Sequence, residues 1–333
     1  MSTQNLYNSM MNASGTNSIL ITGGAGFIGS EFVRKICANG RYSKIFILDK
    51  LTYAADLQRI QPELNMSNVE LIVCDINDTD SYRKLLAQCD QVVHFAAESH
   101  VDRSITNGFP FLDTNIVGTF KLLETIRLNS SAKTLLVSTD EVYGSLETKE
   151  ANESYHLNPS SIYSSSKASS DLIGMANHIT HNQNIVISRC CNNYGHFQNP
   201  EKLIPLAIEN LINGKKVPIY GDGNNVREWI HVQDHISALL LVLESGLPGS
   251  IYNIGTNDRL SNLELIKQIL SELKMDENSI EYVKDRKGHD KRYALDSSKI
   301  RNELGWEPKV DFNSGISMTI AWHLKNNSNK KGK

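Results

Sequence analysis

The chain has 333 residues, of which 40% are hydrophobic and 21% charged, and its formal net charge is −3. The composition is typical of an ordinary globular protein, and the length predicts two structural lobes. The slightly negative charge argues against a general nucleic-acid binder, and no apolar run reaches the roughly 20 residues of a membrane span.

The ends of the chain and its cysteines bear on location. Residues 1–17 lack the charged start and apolar stretch of a signal peptide and predict a flexible tail, and residues 325–333 predict a frayed polar tail. Five cysteines without a signal peptide indicate reduced thiols in the cytoplasm. For the adjacent Cys190 and Cys191 we favour buried packing over a reactive role. No Cys or His cluster has metal-ligand spacing, so we predict no metal site.

Short apolar runs alternate with helical patterns through the first half of the chain. We predict strands at residues 18–22, 44–49, 69–74, 91–97, 134–138 and 185–189. The helices between them include one that follows the first strand, one around residues 114–128 and one around residues 165–178. Runs that are apolar on both faces and separated by helices indicate a parallel sheet covered on both sides.

The pattern changes from Asn192. Gly, Asn and Pro become frequent, and a predicted strand at residues 217–220 ends in the turn residues Gly221, Asp222 and Gly223. Helical patterns recur at residues 234–244 and 262–273. We therefore assign residues 18–191 to the first lobe and residues 192–324 mainly to a smaller lobe. The sequence leaves open whether part of the second segment returns to the first lobe.

The turn after the first strand is rich in glycine. It reads Thr22-Gly-Gly-Ala-Gly-Phe-Ile-Gly29, with glycines at 23, 26 and 29 directly between a strand and a helix. Such glycines let the chain turn tightly and approach a pyrophosphate at the helix N-terminus. The motif predicts a Rossmann-like, doubly wound α/β domain that binds a dinucleotide.

Asp49 ends the second predicted strand, 20 residues after Gly29. A carboxylate there accepts hydrogen bonds from the ribose hydroxyls and repels a 2′-phosphate, so NAD is favoured over NADP. Asp75 follows the third strand and is a weaker candidate for an adenine contact. The alternative for Asp49 is that it only caps a loop.

Tyr163 and Lys167 are spaced i, i+4 and share one face of a predicted helix. A nearby ammonium favours the phenolate, so we expect Lys167 to lower the pKa of Tyr163. The tyrosine can then take a proton from a substrate hydroxyl. A Tyr and a Lys at this spacing are common by chance. The pair indicates a catalytic function only because the same chain carries the dinucleotide motif.

Two adjacent carboxylates follow the fifth predicted strand. Thr139, Asp140 and Glu141 lie where ligands bind in doubly wound sheets. Thr139 can hydrogen-bond a substrate hydroxyl, and a paired acid and base is what a dehydration requires. The alternative is a pair of solvated loop carboxylates.

The chain resembles the extended short-chain dehydrogenase/reductases and, within them, the dTDP-glucose 4,6-dehydratases. The resemblance extends from about Ile19 to Trp306. It is carried by residues 22–30, 95–105, 138–144, 163–167, 192–195, 201–205, 220–223, 226–229, 288–290 and 304–306. The Asp-Glu pair is the specific feature, since sugar epimerases of the superfamily generally lack it. Departures from the family pattern are Ala55, Ile162 and His196.

The resemblance implies a three-step lyase reaction. Tyr163, supported by Lys167, deprotonates the C4 hydroxyl of a nucleotide-activated glucose while hydride passes to NAD⁺. The 4-keto group acidifies the C5 proton, which Glu141 removes while Asp140 protonates the departing C6 hydroxyl. Hydride then returns to C6, which gives a 4-keto-6-deoxy sugar and regenerates NAD.

The resemblance also assigns binding residues. Those implied for NAD are Gly23, Gly26, Phe27, Ile28, Gly29, Asp49, Asp75, Ile76, Ala96, Ala97, Tyr163 and Lys167. Those implied for the nucleotide-sugar are Ser99, Asn192, Lys202, Leu203, Pro218, Tyr220, Arg227, Asn262 and His289. A homodimer is implied, through a bundle formed by the helices around residues 114–128 and 165–178.

Three alternatives remain open. A UDP-hexose dehydratase would use the same chemistry with a different base pocket. A nucleotide-sugar epimerase would use Tyr163 and Lys167 but leave Asp140 and Glu141 idle. A non-catalytic NAD-binding regulator would need none of these four groups.

Overall fold

The computed structural model describes residues 17–331, and the side chains of residues 17–327. Nearly all of the predicted N-terminal tail lies outside the described residues. The strands are β1 Ser18–Thr22, β2 Lys44–Asp49, β3 Val69–Val73, β4 Gln91–His94, β5 Lys133–Thr139, β6 Ile185–Cys190, β7 Asn192–Tyr194, β8 Val217–Tyr220, β9 Val226–His231, β10 Ile251–Ile254, β11 Arg259–Ser261 and β12 Ile280–Val283.

The longer helices are α1 Phe27–Asn39, α2 Thr119–Asn129, α3 Ile162–His181, α4 Leu203–Ile212, α5 Val232–Ser245, α6 Asn262–Glu272, α7 Ser298–Leu304 and α8 Phe312–Lys331. Short α-helical turns lie at Gln61–Leu64, Arg83–Leu86, Val101–Thr106 and Phe109–Phe111, and 3₁₀ turns at Leu57–Ile60, Thr79–Ser81, Asp140–Tyr143 and Glu277–Ser279. A π-helical segment, Leu112–Gly118, leads into α2.

Seven strands form the central sheet in the order β10-β6-β5-β4-β1-β2-β3, and every neighbouring pair is parallel. The reversal of strand order beside β1 is the doubly wound arrangement that the sequence predicted. Successive buried residues of β1 face opposite sides of the sheet, where they join two separate apolar clusters. A continuous apolar run is therefore required, because both faces are covered.

Part of the second segment returns to the first lobe. Strand β10 pairs with β6, and α5 packs Ile236, Leu239 and Val242 into the cluster beneath the sheet. The remaining elements surround a separate apolar cluster built from α4, α6, β8 and α8. The described residues therefore contain three apolar clusters, one on each face of the central sheet and one in the second lobe, and the chain passes between the two lobes more than once.

Several predicted boundaries are wrong. Strand β4 ends at His94 instead of residue 97, because residues 95–97 leave the sheet, where the Ala96 amide donates to the Thr22 hydroxyl at 3.2 Å. Strand β3 stops one residue early, at Val73. Residues 325–331 continue helix α8, so the prediction of a frayed tail is wrong for that part.

His94 ties the sheet to the helical layer. Its Nδ1 lies 2.7 Å from the Thr22 hydroxyl and its Nε2 lies 3.0 Å from the Thr119 hydroxyl. Burial, with a smaller contribution from the Lys167 charge, lowers the pKa of His94 to about 3. The ring is therefore neutral in the folded protein over the whole range above that value.

His94 should make stability fall with acid. The unfolded chain takes up a proton near pH 6.5 and the folded chain does not, so this contribution is complete above pH 6.5 and is lost as pH falls toward 3. We expect the loss between pH 8 and pH 5 to be about 2 kcal/mol smaller in His94→Gln than in the parent. Urea unfolding at both pH values measures this difference, and the pH 8 pair isolates any packing cost. Equal losses would contradict the assignment.

Among the described residues, no helix is both long enough and apolar enough to cross a bilayer.

Candidate active site

A cavity of about 370 Å³ lies at the carboxyl ends of the central strands. Its wall includes residues that end or follow each of the first six strands, namely Gly23, Asp49, Cys74, Phe95, Thr139 and Cys190. The other side is closed by the start of α4 and by Trp229, both in the second lobe, and by His235 on α5. This edge of a doubly wound sheet, beside the reversal in strand order, is where ligands bind.

The glycine turn sits against the floor of the cavity. Gly23 has a φ of +71°, and a Cβ there would lie 2.6 Å from the Ala96 amide nitrogen. A Cβ on Gly29 would collide with the Gly23 carbonyl, whereas Gly26 has only that oxygen near it, at 3.2 Å. Gly23 and Gly29 therefore require glycine for packing, whereas Gly26 leaves the N-terminus of α1 open to a phosphate.

Asp49 is fixed in the cavity wall by backbone hydrogen bonds. Its Oδ2 accepts from the Ala25 amide at 2.9 Å, and its Oδ1 accepts from the Leu51 amide at 2.8 Å. Burial raises the pKa of Asp49, and these two bonds and the Arg59 charge oppose the rise. Each oxygen retains a lone pair, so the carboxylate can accept hydrogen bonds from a pair of ribose hydroxyls.

Asp75 lies next to Asp49 in the same wall and is held by an ion pair with Lys50, at 2.5 Å, and by the Asn77 amide at 2.8 Å. Every residue for which the sequence predicted a cofactor contact lines this one cavity: Gly23, Gly26, Phe27, Ile28, Gly29, Asp49, Asp75, Ile76, Ala96, Ala97, Tyr163 and Lys167. These residues fit a diphosphate flanked by a ribose.

Helix α3 presents the Tyr163 and Lys167 pair. The helix begins with a capping box in which the Ser161 hydroxyl accepts from the Ser164 amide at 3.0 Å. Tyr163 and Lys167 thus fall in its first two turns and are both buried against the cavity. The Lys167 ammonium donates to the Val137 carbonyl at 2.8 Å.

The expected effect of Lys167 on Tyr163 is wrong for the protein alone. Burial, followed by the charges of Glu141 and Asp140, raises the pKa of Tyr163, and a hydrogen bond with Thr139 opposes the rise. Burial also lowers the pKa of Lys167. The prediction considered only Lys167, on the same helix. The fold also brings two carboxylates, from the turn that follows β5, close to the phenol.

Asp140 and Glu141 lie in different environments although they are adjacent. Thr139 caps the 3₁₀ turn Asp140–Tyr143, with its hydroxyl accepting from the Glu141 amide at 3.3 Å. Glu141 lines the cavity, while Asp140 is buried behind the wall, with its Oδ1 3.2 Å from the Thr139 hydroxyl. The Asp140 Oδ2 has no hydrogen-bond partner among the described residues.

Burial is the largest cause of both pKa shifts, but the neighbouring charges differ. Burial, then the charge of Glu141, raises the pKa of Asp140 well above its usual range. Burial also raises the pKa of Glu141, but the positive charges of Lys202, Arg227 and Arg286 oppose that rise. A neutral acid next to a more readily ionised carboxylate is the arrangement that supplies a general acid and a general base.

A buried network holds this turn in place. The Arg189 guanidinium donates to Asp171 at 2.8 Å and to the Tyr143 hydroxyl at 2.9 Å. The Tyr143 hydroxyl in turn donates to the Asn253 side-chain oxygen at 2.8 Å. Because Tyr143 ends the turn that carries both carboxylates, α3, β6 and β10 together fix the position of the pair.

The predicted substrate residues fall into two groups. Ser99, Asn192, Lys202 and Leu203 line the cavity, whereas Pro218, Tyr220, Arg227, Asn262 and His289 do not. Arg227 is buried, donates to the Asp290 carbonyl at 2.9 Å and stacks on the Tyr293 ring at 4.3 Å. His289 pairs with Asp285 at 2.7 Å, and Tyr220 is 40% exposed at the end of β8.

Sequence reasoning missed Arg286. Its Nη1 lies 3.3 Å from Asp102, and its buried Nε has no partner among the described residues. Its charge acts on Glu141 and on Lys202, so it belongs to the cationic group beside the cavity. Arg286 lies two residues before Gly288-His-Asp290, and its proximity to that motif could have identified it from the sequence. Cavity residues that the sequence did not single out for this site include Tyr53, Glu98, Glu201, Cys190, Asn193, Trp229 and His235.

The chain is similar in sequence and in fold to known nucleotide-sugar dehydratases and epimerases. A family model described as GDP-mannose 4,6 dehydratase matches residues 20–319. A dTDP-glucose 4,6-dehydratase from Streptomyces griseus is 46% identical over 315 residues, covering 94% of this chain and 96% of that protein. The crystal structure of a dTDP-glucose 4,6-dehydratase from Streptomyces venezuelae, with NAD bound, has a TM-score of 0.91 at 46% identity and covers 93% of this chain and 98% of that one. A UDP-glucose 4-epimerase from Thermotoga maritima, with UDP-glucose, has a TM-score of 0.86 at 29% identity and covers 93% and 99%.

Proposed function

The chain belongs to the GDP-mannose 4,6-dehydratase family, and from that premise we propose that it dehydrates dTDP-glucose to dTDP-4-keto-6-deoxyglucose with NAD as cofactor. The reaction is that of a hydro-lyase. The observation that carries the proposal is the pair of unequal carboxylates, Asp140 and Glu141, beside Tyr163 at the end of β5. The relatives named for dTDP-glucose support the choice of substrate.

The glycine turn, Asp49 and Asp75 would hold the cofactor. NAD, when bound, supplies reversible acceptance of one hydride from the sugar. A buried neutral Tyr163 becomes a base only when positive charge offsets its burial and the charge of Glu141. Lys167 supplies a proton donor four residues along the helix, and Thr139 can hold the C4 hydroxyl. Tyr163 then takes the proton of that hydroxyl as C4 becomes a ketone.

The carboxylates carry out the elimination. A ketone at C4 acidifies the C5–H bond, so oxidation has to come first. Glu141 lines the cavity and is kept more acidic than Asp140 by nearby cations, which suits it to remove the C5 proton. Burial raises the pKa of Asp140 well above its usual range, which favours the protonated form and suits it to donate to the departing C6 hydroxyl. The proton on Glu141 returns to C5 when C6 is reduced.

Basic and polar residues would bind the nucleoside diphosphate. Lys202, Arg227 and Arg286 place three positive charges near Glu141, which supports a diphosphate at that point. Asn192, Asn262 and His289 would complete the polar contacts, with Ser99 and Leu203 beside the sugar. Pro218 and Tyr220, on β8, would lie along the base. Some of these residues lie outside the cavity. They can contact the nucleotide-sugar only if it extends beyond the cavity or if the protein changes conformation when it binds.

Product analysis separates the candidate functions. The purified protein is incubated with dTDP-glucose, UDP-glucose, UDP-GlcNAc and GDP-mannose, and the products are followed by mass spectrometry. We expect dTDP-glucose to lose water without net reduction of NAD. A mass-neutral isomer would instead favour the epimerase, which shares this fold. Faster dehydration of another nucleotide-sugar would change the substrate, and no turnover would favour a regulator.

We also propose a cytoplasmic homodimer. Five cysteines without a disulfide support a reducing compartment. Adjacent helices α2 and α3 carry exposed apolar side chains, of which Leu128, Leu172 and Ile179 are 65%, 61% and 76% exposed. A second copy of the same face would bury them as a four-helix bundle.

Ile179→Asp tests the dimer. A carboxylate placed in an apolar interface is expected to cost about 2 kcal/mol or more, which raises the dimer dissociation constant about 30-fold. Sedimentation-velocity runs over a dilution series measure the constant. Tyr282→Asp is the matched control, because Tyr282 is also 59% exposed but lies on β12. A parent protein that sediments as a monomer would contradict the proposal.

A further inference from the structure

Cys190 and His235 face the cavity, and the proposed reaction uses neither. Cys190 is the last residue of β6 and lies opposite Thr139 in the register with β5. Its side chain is 3% exposed and that of His235 is fully buried, and both line the cavity wall. The sequence favoured simple packing for Cys190, but it gave no sign that α5 would place a histidine beside it.

Asn193 fixes the orientation of His235. The Asn193 side-chain nitrogen donates to the Cys191 carbonyl at 3.1 Å and toward the Cys190 sulfur at 3.4 Å. Its oxygen therefore faces His235 and lies 2.8 Å from Nδ1, which must carry the hydrogen. The bare Nε2 is buried and has no hydrogen-bond partner among the described residues. The arrangement of thiol, imidazole and orienting amide is one that activates cysteine nucleophiles.

The surroundings of the Cys190 thiol favour the thiolate. Burial by itself raises the pKa of Cys190. The neighbouring Cys191, His235 and Asn193 together outweigh burial and lower the pKa to about 6. Cys74 lines the same cavity without a histidine, and burial together with Asp78 and Asp75 raises its pKa to about 11. Two thiols in one cavity wall thus differ in their environment.

We propose that Cys190 is a nucleophilic modification site for soft electrophiles of the α,β-unsaturated carbonyl class that enter the substrate cavity. The thiol proton moves to the His235 Nε2, and the sulfur forms a bond to the β-carbon of the electrophile. The electron pair of the C=C bond moves to the carbonyl as an enolate, and the α-carbon takes the proton back. No oxidant or second reactant is needed. Because the adduct occupies the cavity, it excludes the nucleotide-sugar.

Acrylamide is a small probe of this class. The purified protein is treated with acrylamide from pH 5 to 9, and adducts are quantified by peptide mass spectrometry with fragmentation that separates Cys190 from Cys191. We expect the rate at Cys190 to level off above an inflection near pH 6. At pH 7 the rate at Cys190 should exceed that at Cys74 about 100-fold, once the lower intrinsic nucleophilicity of an acidic thiol is allowed for.

Variants separate activation from mere access. Cys190→Ser should remove the adduct from its peptide, whereas Cys74→Ser should leave the rate at Cys190 unchanged. His235→Gln should move the inflection toward the ordinary thiol value of about 8.5 and slow labelling at pH 6.5 about fivefold, once the higher intrinsic nucleophilicity of a less acidic thiol is allowed for. Circular dichroism checks that each variant is folded. As a measurement on the intact protein, thiolate absorbance at 240 nm, as the difference between parent and Cys190→Ser, should also titrate near pH 6.

Three results would each overturn the proposal. They are no adduct at Cys190 in the parent, an inflection of its rate at the ordinary thiol value, and a folded His235→Gln variant with an unchanged profile. None of these depends on turnover of a sugar, so failure here is separate from failure of the proposed dehydration.

Discussion

Glu141→Gln is expected to oxidise C4 of dTDP-glucose and then to stop before water is lost. A positioned general base contributes typically about 10²- to 10⁴-fold, and the amide removes the base while it keeps the size of the side chain. Tyr163 and Lys167 are unchanged, so deprotonation of the C4 hydroxyl should proceed. The 4-keto sugar and reduced cofactor should therefore accumulate to one equivalent of enzyme.

Rapid mixing measures both halves of this prediction. Absorbance at 340 nm reports C4 oxidation, and quenched samples analysed by mass spectrometry report loss of water. Glu147→Gln makes the same chemical change at an exposed position six residues further along and should behave as the parent. Dehydration by Glu141→Gln within fivefold of the parent rate would show that another group removes the C5 proton.

The local part of the site was readable from the sequence. The glycine turn, Asp49 and the Thr139–Glu141 segment each follow a strand directly, and a parallel sheet brings strand ends together. The residues predicted for the cofactor accordingly share one cavity. Short-range rules suffice where a motif and its strand end are adjacent in the chain.

The electrostatics of the site could not be read in the same way. The i, i+4 spacing predicts that Lys167 acidifies Tyr163, but the pKa of Tyr163 is raised instead, because the phenol is buried and lies beside Glu141 and Asp140. Those carboxylates are more than 20 residues away in sequence and reach the phenol only through the packing of α3 on β5. A pKa depends on the whole environment, which includes partners that no spacing rule names.

The second lobe was the least predictable part. The pairing of β10 with β6 joins segments 61 residues apart, with two helices and three strands of the second segment between them. Arg286 and His235 are likewise far in sequence from the motifs that form the rest of the site. The composition change at Asn192 indicated a new lobe, but composition carries no information about which strands return to the first sheet.

Tyr163→Phe should abolish the first step of the reaction. Removal of the phenolic oxygen removes the group proposed to accept the proton of the C4 hydroxyl, and the loss in C4 oxidation is expected to be about 10²- to 10⁴-fold. Burial and two carboxylates raise the pKa of Tyr163, so the phenolate is the minor form at neutral pH. Its fraction grows tenfold per pH unit below that pKa, and the parent rate of C4 oxidation should therefore rise from pH 6 to pH 9.

The pH dependence distinguishes a base from a structural contact. Single-turnover oxidation of dTDP-glucose, followed at 340 nm across that range, should rise with pH in the parent and be flat and slow in Tyr163→Phe. Tyr282→Phe, on exposed β12, controls for the loss of a phenol elsewhere and should keep both rate and slope. A variant at position 163 that is slow but keeps the full slope would assign the titrating base to another residue. Glu141 would then be the candidate, because it is the carboxylate of the pair that lines the cavity.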